Sequence, residues 1–251
     1  MSYNPYTLEH KTVLVTGAAS GIGRATAVEC ALLGATLFLT DLNEEGLQET
    51  LQLLDGKERG HQSFAADLCD ETALVQLVAA LPPLDGCVNN AGVGKLIPAP
   101  YITAAEIERM HKINLWAPML LVKNLLAKRK LKNPSSVVFT ASAAGVYRVS
   151  PGNGVYAAAK CGIDAFMRTT ALELAPRGIR CNSVNPGMVV SNFMGQGTYT
   201  SAQLEEEKKH YPLGRFGTPQ DVAHAIVFLL SDASSWMTGT ALKLDGGMTL
   251  S

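Results

Sequence analysis

Residues 11–34 read KTVLVTGAASGIGRATAVECALLG and change character twice. The first seven residues are mostly apolar and β-branched, which predicts a buried strand over 11–17. Three glycines follow within residues 17–23, and the helix formers after them end at Gly34, a residue that suits the position just past a helix C-terminus. The stretch therefore predicts a strand, a tight glycine turn and a helix over 22–33.

The same alternation of apolar runs and helical patterns continues along most of the chain. Predicted strands cover 11–17, 35–41, 61–67, 85–92, 135–142, 178–187 and 241–245. Predicted helices cover 22–33, 44–54, 71–80, 104–130, the stretch around Tyr156 and Lys160, and 219–231. Continuous apolar strands are buried on both faces, and helices between them imply parallel crossovers. The sequence predicts the α/β class: a Rossmann-type doubly wound parallel sheet of about seven strands with helices on both faces, in a single domain over 1–251.

Composition argues against several classes of protein. The chain has 251 residues, is 47% hydrophobic and 17% charged, and carries a net charge of −1, so we expect no nucleic-acid or membrane partner. Neither a signal-peptide pattern nor a bilayer-spanning apolar run is present, which predicts a cytoplasmic protein. Five cysteines without a C-x-x-C pair predict free thiols, and five scattered histidines predict no metal site.

The glycine turn is a candidate phosphate cradle. Glycines let the backbone approach a ligand closely, and the following helix directs free N–H groups toward a pyrophosphate. The spacing G-x-x-x-G-x-G is a weak signal alone, but a strand before it and a helix after it are the context that a dinucleotide site requires. The candidate cofactor residues in this turn are Gly17, Ser20, Gly21, Ile22 and Gly23.

Asp41 ends the second predicted strand and is followed by Leu42. A carboxylate at this position can accept both hydroxyls of an adenosine ribose, and it would repel a 2′-phosphate. Residues 18–19 are alanines and supply no arginine to offset that repulsion, so the sequence favours NAD over NADP as cofactor. The alternative is that Asp41 caps the next helix. Arg24 lies inside the first helix, and we expect it at the surface.

Tyr156 and Lys160 lie four residues apart in VYAAAKCGID (155–164), with three alanines between them. On a helix both side chains emerge from one face, about one turn apart. A phenol beside an ammonium suits acid–base chemistry, although both residue types are also ordinary at the rim of a core helix. Cys161 points to a different face, and we interpret it as structural.

Eight motifs follow one another along the chain, each at a particular structural element. They are TGAASGIG (16–23), Asp41, Asp67-Leu68, NNAG (89–92), Asn114, Ser142, Tyr156-x-x-x-Lys160 and NPG (185–187). Together they resemble the compact members of the short-chain dehydrogenase/reductase family over nearly the whole chain. The resemblance implies an oxidoreductase that transfers a hydride between NAD(H) and a small secondary alcohol or ketone.

The resemblance also assigns roles to residues. The implied catalytic residues are Asn114, Ser142, Tyr156 and Lys160. Beyond the glycine turn and Asp41-Leu42, the implied cofactor contacts are Asp67 and Leu68 at the adenine, Asn90, Ala91 and Gly92 along the groove, Tyr156 and Lys160, Pro186 and Gly187, and Val189 and Ser191 at the carboxamide. Ser142 is expected to hydrogen-bond the substrate oxygen, and Asn114 to hold a water that relays protons to Lys160.

Tyr156 is the expected proton donor and acceptor. A tyrosine with an ordinary pKa near 10 is a poor base at neutral pH. The ammonium of Lys160 and the charge of an oxidised nicotinamide both favour the phenolate, so we expect a lowered pKa. Tyr156 is then the general acid in ketone reduction and the general base in alcohol oxidation.

Two segments bear on the substrate. Residues 188–215 interrupt the alternation and are either a substrate lid or a solvated surface loop. The large apolar residues that favour the lid are Met188, Phe193, Met194, Tyr199 and Tyr211. The stretch from Ser142 to Tyr156 is one residue longer than is commonest in the family. Within it Arg148 either binds an anionic group or is solvated, and Asn153 either contacts substrate or makes a turn.

Several alternatives stay open at this point. A 3-oxoacyl-(acyl carrier protein) reductase using NADPH is opposed by Asp41, and a non-catalytic dinucleotide-binding sensor or scaffold is opposed by the presence of every catalytic residue type. The alanines at 157–159 and the tail WMTGTALKLDGG (236–247) are similar to dimer and tetramer interfaces of the family. We therefore expect a homo-oligomer, with intramolecular packing as the alternative explanation.

Overall fold

Seven parallel strands form one sheet in the computed structural model, which describes residues 4–190 and 200–250. The strands are β1 (Thr12–Thr16), β2 (Thr36–Asp41), β3 (Gln62–Ala65), β4 (Leu84–Asn89), β5 (Leu131–Thr140), β6 (Ile179–Pro186) and β7 (Ala241–Leu244). Their order across the sheet is β3-β2-β1-β4-β5-β6-β7, with every neighbouring pair parallel. The predicted doubly wound parallel sheet is confirmed.

Helices cover both faces of the sheet. They are α1 (Gly21–Leu32), α2 (Glu44–Leu53), α3 (Glu71–Ala80), α4 (Ala104–His111), α5 (Ala117–Ala127), α6 (Gly154–Leu174), α7 (Ser201–Lys208) and α8 (Pro219–Leu230). Side chains alternate between the faces of a strand, so β1 sends Leu14 into a core with α3, α5 and α6, and Val13 and Val15 into a core with α1 and α8. Burial on both faces explains the continuous apolar runs.

The helix predicted over 104–130 is not continuous. A π-helical turn at Lys112–Trp116 separates α4 from α5. Asn114 lies in this turn, and its Nδ2 donates to the carbonyl oxygens of Met110 (3.0 Å) and Val93 (2.9 Å). A side-chain donor on the Met110 carbonyl competes with the backbone donors of the helix, which fits the wider turn.

The carboxyl ends of β1, β4, β5 and β6 lie side by side at one edge of the sheet. The loops that leave β4 and β5 contact each other there, because the Ile97 N–H donates to the Gly152 carbonyl oxygen at 2.6 Å. In doubly wound sheets this edge is where ligands bind. Within the described ranges, no helix has the length and apolar character needed to cross a membrane.

Candidate active site

The turn after β1 has the shape that a phosphate group requires. Gly17 has a φ of +67°, a conformation that favours glycine. A Cβ on Gly23 would come within 2.0 Å of the Gly17 carbonyl oxygen. The turn therefore has room only for glycine at position 23. Ser20 precedes α1 without capping it through its side chain, and the first turn carries no acidic residue. The turn therefore fits a pyrophosphate at the helix N-terminus.

The Asp41 carboxylate lies against this turn. It accepts the Ala19 N–H at 3.1 Å and the Asn43 N–H at 3.0 Å. The cap of α2 is Asn43, whose Oδ1 accepts the Gly46 N–H at 3.0 Å. The alternative that Asp41 caps α2 is therefore excluded, and its carboxylate stays beside the phosphate cradle. Leu42 next to it is exposed.

Arg24 is not the free surface residue that its helical position suggested. Its guanidinium is half-buried and donates to the Ala19 carbonyl oxygen (2.5 Å), to Glu49 Oε2 (2.6 Å) and to Thr50 Oγ1 (3.0 Å). These partners come from the glycine turn and from α2, which a single-helix pattern does not predict. The charge of the guanidinium is neutralised by Glu49, and its hydrogen bond to the Ala19 carbonyl oxygen connects the glycine turn to α2.

A hydrogen-bond network joins the ends of β1, β4 and β5. Thr16 Oγ1 accepts the N–H groups of Asn90 (2.9 Å) and Ala91 (3.0 Å). The Asn90 amide donates to the Thr16 carbonyl at 3.2 Å, and its Oδ1 accepts the Thr140 hydroxyl at 3.2 Å. The NNAG segment is thereby fixed beside the glycine turn, where the resemblance placed the cofactor groove.

Lys160 reaches the same network from α6. Its Nζ donates to the Thr140 carbonyl oxygen at 2.8 Å, and the side chain is buried. A Cβ on Gly92 would come within 2.7 Å of Asn114 Oδ1 and 3.4 Å of Lys160 Nζ. Asn114 also accepts the Val93 N–H at 3.2 Å, so its amide holds the loop that carries Gly92. Burial lowers the pKa of Lys160 to about 8.

Tyr156 lies beside Ser142 and Lys160. Its hydroxyl is hydrogen-bonded to the Ser142 hydroxyl, and the Lys160 Nζ is 5.8 Å from the centre of its ring. Burial raises the pKa of Tyr156 to about 12, an effect that the hydrogen bond from Ser142 only partly offsets. The described side chains therefore do not lower this pKa as the sequence suggested. The physical reason is that burial disfavours the phenolate more than its neighbours favour it.

The backbone around Ser142 is held by β6. The Asn185 amide donates to the Ser142 carbonyl oxygen at 3.1 Å, and the Ala143 N–H donates to the Pro186 carbonyl at 2.9 Å. Gly187 leaves the strand by donating to the Leu244 carbonyl oxygen at 2.9 Å. The NPG motif thus comes next to the Ser142 loop, although 43 residues separate Asn185 from Ser142.

The remaining predicted cofactor residues occupy the two ends of this edge. Asp67 follows β3, where its Oδ1 accepts the Cys69 N–H at 2.8 Å, and Leu68 beside it is buried. Val189 lies at the other end and pairs with Gly217 through a β-bridge. Ser191 lies outside the described residues.

The described part of 188–215 is anchored at both ends. Tyr211 is buried, its hydroxyl accepts the Met188 N–H at 2.9 Å, and its ring meets Phe216 edge-on at 5.2 Å. Both residues belong to a small apolar cluster with Ala143, next to the Ser142 loop. These contacts oppose the surface-loop interpretation for the described residues. Phe193, Met194 and Tyr199 lie outside them.

Arg148 is neither a free cation for an anionic group nor a fully solvated side chain, because its guanidinium is paired with Glu207. Its Nη1 lies 2.7 Å from Glu207 Oε1 on α7 and 2.8 Å from the Met248 sulfur. The Arg148–Glu207 pair joins the loop before α6 to helix α7. The sequence alone does not predict this pair, because Glu207 is 59 residues from Arg148. Glu207 also lies in EEEKK (205–209), a run of charges typical of a solvated helix face.

We expect charge reversal at this pair to disturb substrate binding. Arg148→Glu should raise the KM for a ketone about fivefold, since a half-buried pair contributes about 1 kcal/mol, while the KM for NADH stays within about twofold. The double variant Arg148→Glu/Glu207→Arg should restore most of the loss in steady-state kinetics. Lys208→Glu, which reverses an exposed pair on the same helix, is the control and should change neither KM. An equal rise in both KM values for Arg148→Glu would contradict this positioning role.

Comparison with known proteins places the chain in a family. A family model described as Enoyl-(Acyl carrier protein) reductase matches residues 17–249. The chain is 33% identical to 2-(S)-hydroxypropyl-CoM dehydrogenase 3 of Xanthobacter autotrophicus, covering 96% of this chain and 98% of that protein. It is 32% identical to the 3-oxoacyl-(acyl-carrier-protein) reductase FabG of Thermotoga maritima, covering 97% and 99%. A solved short-chain type dehydrogenase/reductase from Mycobacterium ulcerans has a TM-score of 0.90 at 28% identity, covering 97% of this chain and 91% of that one.

The fold, the glycine turn and these matches define an NAD(P)-linked oxidoreductase that transfers hydride to or from CH–OH groups. The chain belongs to the short-chain dehydrogenase/reductase family. The resemblance drawn from the eight motifs is confirmed at the level of the family.

Proposed function

We propose that this enzyme interconverts a secondary alcohol and a ketone with NAD(H), and that Tyr156 exchanges the proton. The observation that carries the proposal is the hydrogen bond between the Tyr156 and Ser142 hydroxyls, with Lys160 against the same ring. An idle dinucleotide-binding protein has no need of this cluster, since burying a lysine and a tyrosine together is costly. The cluster therefore favours catalysis over a sensor or scaffold role.

Each side chain has a distinct task in the proposed reaction. A bound nicotinamide supplies or accepts the hydride. The raised pKa keeps Tyr156 protonated at neutral pH, which is the form that donates a proton to a ketone oxygen. Ser142 donates a hydrogen bond to that oxygen as negative charge develops on it. Lys160 supports the phenolate left on Tyr156, and Asn114 is assigned the water that relays the proton to Lys160.

The cofactor assignment follows the edge of the sheet. We assign the pyrophosphate to the glycine turn: Gly17, Ser20, Gly21, Ile22 and Gly23. The adenosine half of the cofactor is assigned to Asp41 and Leu42 at the ribose and to Asp67 and Leu68 at the adenine. The nicotinamide half is assigned to Asn90, Ala91 and Gly92 along the groove, to Tyr156 and Lys160 at the ribose, and to Pro186, Gly187, Val189 and Ser191 at the carboxamide. The network through Thr16 and Thr140 supports this assignment, because it brings the NNAG segment and Lys160 together.

NAD is the proposed cofactor because of the position of Asp41. Its carboxylate is fixed beside the glycine turn by the Ala19 N–H, and Arg24 nearby is neutralised by Glu49. A 2′-phosphate would meet the carboxylate without a free cation from the glycine turn or α1 to offset it.

Replacing Asp41 with alanine should relax the preference for NAD. Loss of the like-charge repulsion should raise the ratio of kcat/KM for NADPH to that for NADH by about tenfold or more. Asp67→Ala is the matched control, because a contact to the adenine is shared by both cofactors and its loss should leave the ratio unchanged. A wild-type enzyme that already prefers NADPH would overturn the assignment and favour the 3-oxoacyl reductase alternative.

The segment at 188–215 is proposed to form one wall of the substrate site within a single domain over 1–251. The apolar cluster of Tyr211, Phe216 and Ala143 supports this, since it attaches the segment to the Ser142 loop. We propose a homo-oligomer, because exposed Leu172 on α6 and the fully exposed Trp236 offer apolar surface that a second copy could bury.

A panel of ketones, secondary alcohols and 3-oxoacyl thioesters tests the proposed function. Absorbance of the reduced nicotinamide at a fixed enzyme concentration reports turnover of each compound. Turnover of simple ketones with NADH supports the proposal. Turnover restricted to 3-oxoacyl thioesters with NADPH supports the alternative that the Thermotoga maritima relative suggests, and no turnover of any compound rejects both.

A further inference from the structure

Two fully buried polar side chains on β6 have no task in the proposed mechanism. Ser183 and Asn185 have no exposed surface, and they point to the same side of the strand, because side chains alternate between its faces. Cys181, which shares that side, packs in the core with α6. A buried hydroxyl or amide is costly unless it is hydrogen-bonded, so the partners of these two side chains indicate their role.

Ser183 is held from α6. Its hydroxyl donates to Oδ1 of Asp164 at 2.6 Å, a length typical of a hydrogen bond to a carboxylate. Asp164 is itself buried and lies one turn beyond Lys160 on the helix. Its other oxygen, Oδ2, accepts the Nε–H of Arg168 at 3.1 Å. The position of the Ser183 hydroxyl is therefore fixed by a carboxylate that has a partner on each of its oxygens.

Asn185 connects Ser183 to the Ser142 loop. Its Oδ1 lies 2.9 Å from Ser183 Oγ, and its Nδ2 donates to the Ser142 carbonyl oxygen at 3.1 Å. Reversal of the amide would turn its oxygen toward the Ser142 carbonyl, and two acceptors repel each other, so only one orientation suits this loop. The amide oxygen then faces the Ser183 hydroxyl, which shares its proton between Asp164 and Asn185. The buried chain Asp164–Ser183–Asn185 therefore ends on the backbone of Ser142.

The hydrogen bond from Asn185 reaches the residue that contacts the phenol of Tyr156. The residues on either side of Ser142 are already joined to β6 by backbone hydrogen bonds of 2.9 Å, and the Asn185 amide holds the carbonyl group between them. That carbonyl is attached to the Cα whose side chain meets the Tyr156 hydroxyl. Holding the carbonyl restricts rotation of Ser142 about ψ, so its hydroxyl keeps one direction relative to the phenol.

We propose that Asn185 is a positioning residue that holds Ser142 in the direction needed to stabilise the charge developing on the substrate oxygen. Ser183 is the second positioning residue, because it orients the Asn185 amide. This inference rests on the proposed function, in which Ser142 donates a hydrogen bond to that oxygen. A donor contributes most when it is aimed in advance at the developing charge, so loss of its orientation should lower kcat and leave the affinity for NADH unchanged.

Single substitutions measure the contribution of each side chain with a ketone that the wild type reduces. Asn185→Ala should lower kcat about tenfold, less than the about 10²- to 10³-fold cost of deleting such a donor outright. Ser183→Ala should lower kcat about threefold, because the amide keeps its bond to Ser142 and loses the partner of its oxygen. Ser136→Ala is the matched control, since Ser136 is also buried, on β5, but its hydroxyl donates to the Leu229 carbonyl oxygen on α8 at 2.7 Å. It should keep the kcat of wild type, whereas an Asn185→Ala enzyme that does so would overturn the proposal.

The Ser142→Ala background separates positioning from a general effect on the fold. If Asn185 acts through the Ser142 hydroxyl, Asn185→Ala should change kcat less than about twofold once that hydroxyl is absent. A further tenfold loss in this background would mean that Asn185 acts by another route, and would overturn the proposal. A second cycle needs no residual activity of Ser142→Ala: the double variant Asn185→Ala/Ser183→Ala should lose no more kcat than Asn185→Ala alone, and multiplication of the two losses would contradict a shared chain.

Failure of the proposed function has a different signature in the same experiment. A Ser142→Ala enzyme with the kcat of wild type would reject the role of Ser142 in the proposed reaction, and the positioning role of Asn185 would fall with it. A large loss for Ser142→Ala beside an unchanged kcat for Asn185→Ala would overturn the positioning role alone. The dissociation constant of NADH, measured by fluorescence titration, should stay within about threefold of wild type for Asn185→Ala.

Discussion

Tyr156→Phe should lower kcat by at least about 100-fold in either direction, since general acid–base catalysis contributes about 10²- to 10⁴-fold. The phenylalanine ring keeps the packing of the phenol and removes only the group that exchanges the proton. The dissociation constant of NADH, measured by fluorescence titration, should therefore stay within a few-fold of wild type. A variant that keeps its turnover would reject Tyr156 as the acid–base group.

Tyr147→Phe provides the matched control. Tyr147 lies in the loop between Ser142 and Tyr156, is partly exposed, and has the Lys243 ammonium 5.4 Å from its ring centre. Tyr147 thus shares with Tyr156 the phenol and a nearby lysine, but not the hydrogen bond to Ser142. Its substitution should change kcat less than about twofold.

The pH dependence of the wild type separates the two directions of the reaction. Because burial holds the pKa of Tyr156 above its ordinary value, the phenol stays protonated through neutral pH. Ketone reduction should therefore be nearly flat from pH 6 to 8, whereas alcohol oxidation needs the phenolate and should rise with pH by up to about tenfold per unit. Equal and flat profiles in both directions would contradict a tyrosine base.

Sequence patterns predicted the frame of this molecule because its signals are local. The apolar run at 11–17 and the glycine turn fix β1 and the start of α1, and the four-residue spacing of Tyr156 and Lys160 fixes their common face of α6. Each of these features depends on residues within one or two turns of one another, so one stretch of sequence suffices to predict it.

The features that the sequence did not predict depend on distant partners. The π turn at Asn114 involves the Val93 loop, Arg24 is held by α2, and Arg148 is held by Glu207. The direction of the Tyr156 pKa shift was also missed, because it depends on how deeply the packed loops bury the phenol. Neither a contact partner on another element nor a degree of burial is encoded in local periodicity.

Lys160→Met should abolish most of the activity and yet stabilise the folded protein. Burial lowers the pKa of this lysine to about 8, whereas in the unfolded chain it is near 10.4. Below pH 8 the folded state thus holds a buried charge that the unfolded state exposes to water, and this difference opposes folding. Methionine fills a similar volume without charge. The free energy of unfolding at pH 7 should rise by about 1–3 kcal/mol in urea titrations without added cofactor.

Substitution of a buried residue usually destabilises the fold, whereas here we expect stabilisation. The pH dependence of the free energy of unfolding shows whether the buried charge of Lys160 is the cause. Between pH 8 and about 10.4 the Lys160 amine is protonated in the unfolded chain and neutral in the folded protein. The free energy of unfolding of the wild type therefore rises with pH in this range, and its difference from that of Lys160→Met should shrink. Lys123→Met, on the exposed side of α5, is the control. It should show neither a higher free energy of unfolding at pH 7 nor a difference from wild type that changes with pH. If Lys160→Met destabilises the protein at pH 7, the bond from its ammonium to the Thr140 carbonyl outweighs the cost of burial. Stabilisation together with lost turnover would instead mean that the enzyme keeps a destabilising charge at this position for its chemistry.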